Sequence, residues 1–429
     1  MTEDDIEDSS DGHLVSTPLF YLEADSMAVG TTPFSAADSL SGYLYQIRLA
    51  LLWSLQRLPF STDFLVSVET LDHVTFETSG GTPQELVQTK HHRSREASLT
   101  DASPDLWKTL RIWFEGTDAG QIPSGTALHL LTTATASECS VASRLRKSER
   151  DVNAALAALE TTARSSCNED NKIAYDVFLK ASPARRRSII ESVIVIDAAQ
   201  TIGEIDNQLR AAVFSAVDRK NLDSFLQRLE GWWIRRVLHQ LNNHGDRILA
   251  EEIESQMGDL REGFKQDSLP IDEDLFVSSS DDAVLVAHAN LTLVRQMEII
   301  KAGGKRIASA VRDYYRAFEQ RSRWLREDLV HVGELDQYER RLVEEWELVF
   351  EGMQDEIGSE ATDEAKEKAA REVLRWAEHQ CTVTIRPRVT EPFVVRGSLH
   401  MLSNEQRIGW HPEFRGRLAK LLASGEKFI

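Results

Sequence analysis

The sequence is poor in cysteine, and it lacks the cysteine patterns that hold disulfide-rich or zinc-dependent folds together. Its three cysteines, Cys139, Cys167 and Cys381, lie far apart, and none belongs to a Cys-x-x-Cys pair. This argues against a disulfide framework and against a structural zinc site. We therefore expect a protein of the reducing cytoplasm.

Signals for export, membrane insertion and nucleotide binding are also missing. Acidic residues follow Met1, so the basic and apolar regions of a secretory signal are absent. The longest apolar runs are far shorter than a membrane span. No Gly-x-x-x-x-Gly-Lys loop is present, so any use of ATP should belong to a partner. Serine hydrolase chemistry finds no support either, because there is no Gly-x-Ser-x-Gly motif.

Basic residues are outnumbered, with 49 Lys and Arg against 69 Asp and Glu, which gives a net charge of −20. Nine acidic residues precede Arg48, the first basic residue. We interpret residues 1–33 as an acidic disordered tail. A chain this acidic should bind DNA weakly by itself, because contact with phosphates requires local positive charge.

The stretch from Leu65 to Lys90 predicts two β-strands joined by a glycine-rich turn at Ser79–Pro83. Alternation along the first strand places Asp72 on its more apolar, inward face. On the second strand, Leu86, Gln88 and Lys90 share one side, and Val87 and Thr89 share the other. Asp72 and Lys90 are therefore expected on a common face.

A strand carboxylate near a Gln-x-Lys segment has the parts of a metal-dependent phosphodiesterase. Mg²⁺ prefers oxygen ligands, polarises a phosphate and lowers the pKa of its bound water. A nearby lysine orients that water and offsets developing negative charge. The spacing by itself is weakly specific, and a surface hairpin in which Asp72 caps a turn or pairs with Lys90 is the alternative.

Flanking motifs make the pattern more specific. A Gly-x-x-Tyr-Gln helix precedes a Glu-x-x-Asp strand, which is followed by a Gln-x-Lys strand and a Trp-Lys-Thr-Leu helix. These motifs stand at Gly42/Tyr45/Gln46, Glu69/Asp72, Gln88/Lys90 and Trp107–Leu110. In this ordered set, the first third of the chain resembles PD-(D/E)xK nuclease domains in their Mrr-like, Gln-x-Lys variant. These domains occur in double-stranded DNA endonucleases that act as bacterial anti-phage effectors.

The resemblance implies roles for five residues. Asp72 would be a metal ligand, Gln88 would stand at the second metal position, and Lys90 would be the catalytic lysine, with Mg²⁺ or Mn²⁺ as the cofactor. Glu69 and Gln46 are secondary catalytic candidates. Strand parity predicts that Glu69 points away from Asp72 unless a bulge turns it back.

Further basic residues are candidates for DNA contact. Arg185, Arg186 and Arg187 follow a helix start at Ser182-Pro183, and Lys108 lies beside Trp107 in the last nuclease-like motif. A solvated surface is the alternative for the arginine triplet. The segment from Lys305 to Arg326 is also rich in arginine and aromatic residues, which suits nucleic acid or an acidic partner surface.

The chain divides by pattern into two folded parts. Residues 34–200 predict an α/β domain like that of restriction endonucleases. Residues 205–429 predict a mainly α-helical domain that docks to partners and ends in a small β and loop region, with strand and loop expected over Cys381–Arg388, Phe393–His400 and Ile408–Phe414.

Residues of about 230–420 resemble the C-terminal domain of bacterial ABC-three-component conflict systems. The segments DYYRAFEQRSRW, EEWE, RGSLH and GWHPEF carry this resemblance. It implies an ABC or SMC-like ATPase and a small middle component as partners. Together, the two resemblances predict a metal-dependent endonuclease that cuts double-stranded DNA in anti-phage defence when the ATPase allows it, with a homo-oligomer as a further expectation. The alternatives are a non-catalytic adaptor of the same complex and a nuclease for RNA or single strands.

Overall fold

The computed structural model describes residues 36–91, 98–148, 150–243, 246–276, 288 and 290–424. The predicted acidic tail at residues 1–33 lies outside this range. Eight short strands lie within the described residues: β1 (Leu65–Val68), β2 (Val74–Glu77), β3 (Pro83–Lys90), β4 (Ser98–Leu99), β5 (Ala127–Thr132), β6 (Thr135–Ala136), β7 (Val193–Ile196) and β8 (Ile248–Leu249).

Six of these strands form a mixed sheet in the order β7-β5-β3-β2-β1-β8. Strands β3, β5 and β7 are parallel, whereas β1 is antiparallel to both β2 and β8, and β2 is antiparallel to β3. Strands β4 and β6 form a separate parallel pair. The parallel half matches the strand-helix-strand order of the sequence.

The N-terminal region also contains α1 (Ala36–Arg57), α2 (Pro104–Asp118), α3 (Val141–Arg144), α4 (Val152–Ser165), α5 (Lys172–Lys180), α6 (Pro183–Ser192), α7 (Ile202–Val213), α8 (Leu222–Asn242) and α9 (Ala250–Gly263). The C-terminal region contains α10 (Thr292–Ile299), α11 (Gly304–Arg326), α12 (Glu334–Ile357), α13 (Asp363–His379), α14 (Pro392–Asn404) and α15 (Phe414–Ser424). The chain is thus an α/β region followed by a mainly helical region.

The sheet carries a hydrophobic core on each face. Val66, Phe76 and Val87 pack against α1, α7, α8 and α9. Leu86 and Leu130 pack against α2, α4, α5 and α6. A third core joins α10 to α15. The alternation along β3 therefore determines which of its side chains face α1 and which face α2.

The first predicted strand differs from the observed structure. It is a hairpin, in which Glu69–His73 turn the chain between β1 and β2, and Val68 pairs with Val74. The backbone N–H of Glu69 donates to the His73 carbonyl at 3.0 Å, and Glu69 has a positive φ of 55°. Strands β1 and β2 both have apolar residues at alternate positions. The hydrophobic alternation of the sequence is therefore the same for one long strand as for two paired strands.

The packing on the α1 face extends past the predicted domain boundary near residue 200. Ile205, Phe225 and Trp233 belong to the same core as α1, and Trp233 Nε1 donates to the Ile47 carbonyl at 2.8 Å. Strand β8 adds residues 248–249 to the sheet. Helices α7 to α9 are therefore part of the α/β unit, because they supply the cover that one face of its sheet requires.

The expectation of strand or loop at Phe393–His400 is wrong, since these residues lie in helix α14. Pro392 occupies the first turn of this helix, where a proline is well tolerated. Gly397 allows α14 to lie directly on α11, so tertiary packing outweighs the strand preference of the Val394-Val395 pair. The segments around Cys381–Arg388 and Ile408–Glu413 are loops and turns.

His400 on α14 predicts a loss of stability in acid. Its ring is 2% exposed, and burial lowers its pKa to about 4. An unfolded histidine binds its proton near pH 6.5, so the unfolded state takes up more protons as the pH falls toward 4. We expect this group to cost about 2 kcal/mol of stability between pH 7 and pH 5. Urea unfolding at both pH values should show a smaller difference for His400→Gln than for the wild type, and equal differences would contradict this.

None of the described helices combines the length and the apolar character that crossing a bilayer requires.

Candidate functional site

Asp72 lies in the β1–β2 turn with its carboxylate directed into the protein, where the residue is only 6% exposed. Its Oδ2 accepts a hydrogen bond from Trp113 Nε1 at 2.8 Å. Its Oδ1 accepts from the His73 backbone N–H at 2.8 Å and from the Gln88 side-chain amide. Burial raises the pKa of Asp72, and these three donors oppose that effect. The turn thus aims a carboxylate at the α2 face of β3.

Strand β3 presents Gln88 and Lys90 on the α2 face and Thr89 on the α1 face, with the parity that the sequence predicts. Gln88 is 3% exposed, and Lys90 is partly buried. Burial lowers the pKa of Lys90, while the carboxylates of Asp105 and Asp72 act in the opposite direction. The structure therefore brings Asp72, Gln88 and Lys90 together.

Glu69 and Gln46 also lie at this site. Glu69 is exposed in the turn. Partial burial raises the pKa of its carboxyl and the Asp72 carboxylate raises it further, while Gln46 and the Lys90 charge lower it. The prediction that Glu69 points away from Asp72 is therefore wrong. Glu69 belongs to a turn rather than to a strand, so alternation does not apply to it. Gln46 reaches the site from the buried face of α1.

His73 is a site residue that the sequence reasoning missed. Its Nδ1 lies 2.8 Å from Gln46 Nε2, 3.0 Å from Thr89 Oγ1 and 3.2 Å from the Thr89 backbone nitrogen. Burial, and then the Lys90 charge, lower the pKa of His73 to about 4. A histidine directly after the proposed ligand Asp72 was the signal available in the sequence.

Two more buried residues near the site were not given roles from the sequence. Trp113 is fully buried, and its Nε1 donates to Asp72 Oδ2. Tyr45 is buried with its hydroxyl unpartnered, and its ring centre lies 4.9 Å from that of His91. Burial raises the pKa of Tyr45.

The donor atoms at the site fit a hard divalent cation. Within the described residues, no group of three His, Cys, Asp or Glu side chains could hold a metal by themselves. However, the amide oxygens of Gln88 and Gln46 are buried and accept no hydrogen bond, and they lie beside the carboxylates of Asp72 and Glu69. Ionised carboxylates and amide oxygens suit Mg²⁺ or Mn²⁺, and each carboxylate oxygen has more than one lone pair.

Of the residues predicted to contact DNA, the arginine triplet is largely engaged within the fold. Arg186 is 8% exposed, pairs with Glu160 and donates to the Ala181 carbonyl at 3.0 Å. Arg185 pairs with Asp118. Arg187 donates a hydrogen bond to Asn153 and forms an ion pair with Glu191. The buried Arg186 is therefore not available to a surface ligand.

Lys108 differs from the triplet, because it is exposed on α2, and its charge lowers the pKa of Lys90. It therefore lies at the surface close to the site.

The arginine-rich helix α11 also uses its charges internally. Arg306 pairs with Glu378, Arg321 is buried against Glu339, and Arg323 pairs with Asp274 and Glu319. Trp324 is buried as well, and its Nε1 donates to the Pro270 carbonyl at 2.7 Å. Most of the arginines between Lys305 and Arg326 thus form ion pairs within the helical region.

The comparisons with known proteins concern the helical region. No curated protein matches the chain significantly. Residues 293–418, which include nearly all of α10 to α15, match the family model of C-terminal domain 7 of the ABC-three component (ABC-3C) systems. This confirms the predicted C-terminal resemblance over less than a third of the chain. The match indicates a component of an ABC-three component system.

Proposed function

We propose that this protein is a metal-dependent endonuclease for double-stranded DNA, acting as the effector of an anti-phage ABC-three component system. Its α/β region would be a PD-(D/E)xK nuclease domain of the Gln-x-Lys type. The observation that carries the proposal is the convergence of Asp72, Gln88 and Lys90 on one face of the sheet, with the Gln88 amide oxygen buried and unpartnered.

The roles of the residues follow from their chemistry. Asp72 and Gln88 would hold the cation, with Glu69 and Gln46 beside them. A bound Mg²⁺ or Mn²⁺ supplies Lewis acidity toward a phosphate and a more acidic water. Lys90 would orient the attacking water and offset the negative charge that develops on the phosphate. The low exposure of Asp72 strengthens these electrostatic interactions, since few waters screen them.

Partner proteins would supply the affinity for DNA that the acidic chain lacks by itself. A net charge of −20 opposes binding to a polyanion. An ABC or SMC-like ATPase that holds DNA would deliver the substrate, with a small middle component linking it to the helical region. The family match at residues 293–418 supports this assignment. The complex would act on invading DNA in the cytoplasm.

The test is cleavage of supercoiled plasmid and of RNA by the chain alone and with the products of its neighbouring genes, in Mg²⁺ and in EDTA. Asp72→Asn should reduce plasmid cutting by about a hundredfold or more, since the variant loses the charge that holds the cation. The matched control is Asp176→Asn, which changes an exposed carboxylate on α5. Melting temperatures must be measured too, because the three hydrogen-bond partners of the Asp72 carboxylate are donors and the asparagine amide nitrogen could not accept from them.

Plasmid cutting that requires Mg²⁺ and fails in Asp72→Asn alone would support the proposal. RNA cutting without plasmid cutting would show that the substrate is RNA and not double-stranded DNA. Full activity of a folded Asp72→Asn variant would contradict this site.

One observation favours a second function, a non-catalytic adaptor of the same complex. Both Asp72 oxygens already accept hydrogen bonds from the protein, as a purely structural aspartate would. In that case no nucleic acid would be cut under any condition, and phage protection would survive the Asp72 substitution.

A further inference from the structure

His73 connects three separate parts of the candidate site through one ring nitrogen. Its Nδ1 faces the amide nitrogen of Gln46 on α1 and both the hydroxyl and the backbone nitrogen of Thr89 on β3. The His73 backbone N–H donates to Asp72. One residue thus contacts α1, the turn that carries Asp72, and the residue between Gln88 and Lys90.

The sheet geometry explains why β3 needs this contact. Strand β2 begins at Val74, opposite Val87, so no β2 residue faces Thr89. A backbone N–H inside a protein requires an acceptor. His73 Nδ1, 3.2 Å away, accepts the hydrogen bond from the Thr89 N–H. Because the N–H and C=O groups of a strand residue point to the same side, the Thr89 carbonyl also faces the side of the β1–β2 turn.

The hydrogen-bond pattern defines the state of the ring. The Thr89 backbone N–H, 3.2 Å from Nδ1, can only donate. Nδ1 must therefore be an acceptor, and the proton of the neutral ring lies on Nε2.

We propose that His73 is the positioning residue of this site, whose Nδ1 holds Gln46 and β3 in register with the turn that carries Asp72. The proposal rests on the proposed function and deepens it. His73 does not need to touch the nucleic acid. Its contribution is to fix the separation between Asp72 on the turn and the Gln88 and Lys90 side chains on the strand.

The test compares His73→Leu with His73→Asn in the assembled system. Leucine removes the acceptor, whereas asparagine keeps a side-chain oxygen near the place of Nδ1. We expect kcat for plasmid cutting to fall by on the order of tenfold to a hundredfold in His73→Leu, with a higher Mg²⁺ requirement. We expect His73→Asn to recover most of the loss. A residue that only supported folding would lower the melting temperature of both variants and leave kcat per folded molecule unchanged.

A second measurement does not depend on activity. Nitrogen-15 NMR of labelled histidine in the wild-type chain should show an unprotonated Nδ1 and a protonated Nε2 for His73. Thr89→Val, which removes only the hydroxyl donor, and Gln46→Leu should each shift the Nδ1 resonance. A protonated Nδ1 in the wild type would overturn the proposal.

The two proposals can fail separately. If Asp72→Asn abolishes cutting and His73→Leu cuts like the wild type, the positioning role is wrong and the nuclease assignment stands. If no variant or wild-type protein cuts but the NMR result holds, the hydrogen-bond arrangement stands and the nuclease assignment fails.

Discussion

Lys90→Met should abolish Mg²⁺-dependent plasmid cutting by the assembled system, with a loss of at least about a hundredfold in kcat. Methionine keeps most of the volume of the lysine and removes its charge. Lys90 lies beside Asp72 and Asp105, in a partly buried position where its pKa is lowered by burial. A charge in such a place acts more strongly on a nearby phosphate than an exposed charge does.

The control for Lys90→Met is Lys180→Met, which removes an exposed lysine at the end of α5. It should cut at the wild-type rate. Circular dichroism should show that both variants remain folded. Lys180 is exposed, and Asp72, which loses the nearby charge of Lys90, keeps its three hydrogen-bond donors. Wild-type cutting by a folded Lys90→Met variant would remove Lys90 from the mechanism.

Gly397→Ala should destabilise the helical region by about 3 kcal/mol or more. An added Cβ at this position would lie 2.1 Å from the Asp313 carbonyl oxygen and 2.5 Å from Ala317 Cβ. These atoms belong to α11, and one of them is backbone, so a side-chain rotation cannot relieve the contact. Helix α14 would have to move away from α11 and open the core between them.

The matched control is Gly352→Ala within α12, where an added Cβ meets nothing within 4 Å. Alanine favours helix over glycine, so this variant should gain about 0.5–1 kcal/mol. Urea unfolding measures both. Equal stabilities of the two variants would mean that α11 and α14 do not pack as described. Since this region carries the family match, Gly397→Ala should also weaken co-purification with the partner proteins if docking occurs there.

The sequence predicted the strand at β3 and its side-chain alternation well. Gln88 and Lys90 share the α2 face and Thr89 the opposite face, because strand parity is a local property. The same reasoning failed for Glu69. One long strand and a tight hairpin have the same alternation, and only the pairing of Val68 with Val74 distinguishes them.

The basic residues show a second limit of sequence reasoning. Arg186 and Arg321 looked like surface charges, yet both are buried against glutamates that lie 26 and 18 residues away in the chain. Sequence reports the charge of a side chain but not its partner. The helix at Phe393–His400 shows the same limit for backbone structure, because its choice over a strand depends on how closely Gly397 meets α11.

The sequence by itself determined the α/β and helical regions, the ordered set of Asp72, Gln88 and Lys90, and the C-terminal resemblance that the family match confirms. These depend on periodicity and on short motifs. Tertiary structure alone decided that Glu69 returns to the site, that α7 to α9 cover the sheet, and that His73 joins α1 to β3. Each of these depends on contacts between residues distant in sequence or on a turn with a positive φ, which local pattern does not encode.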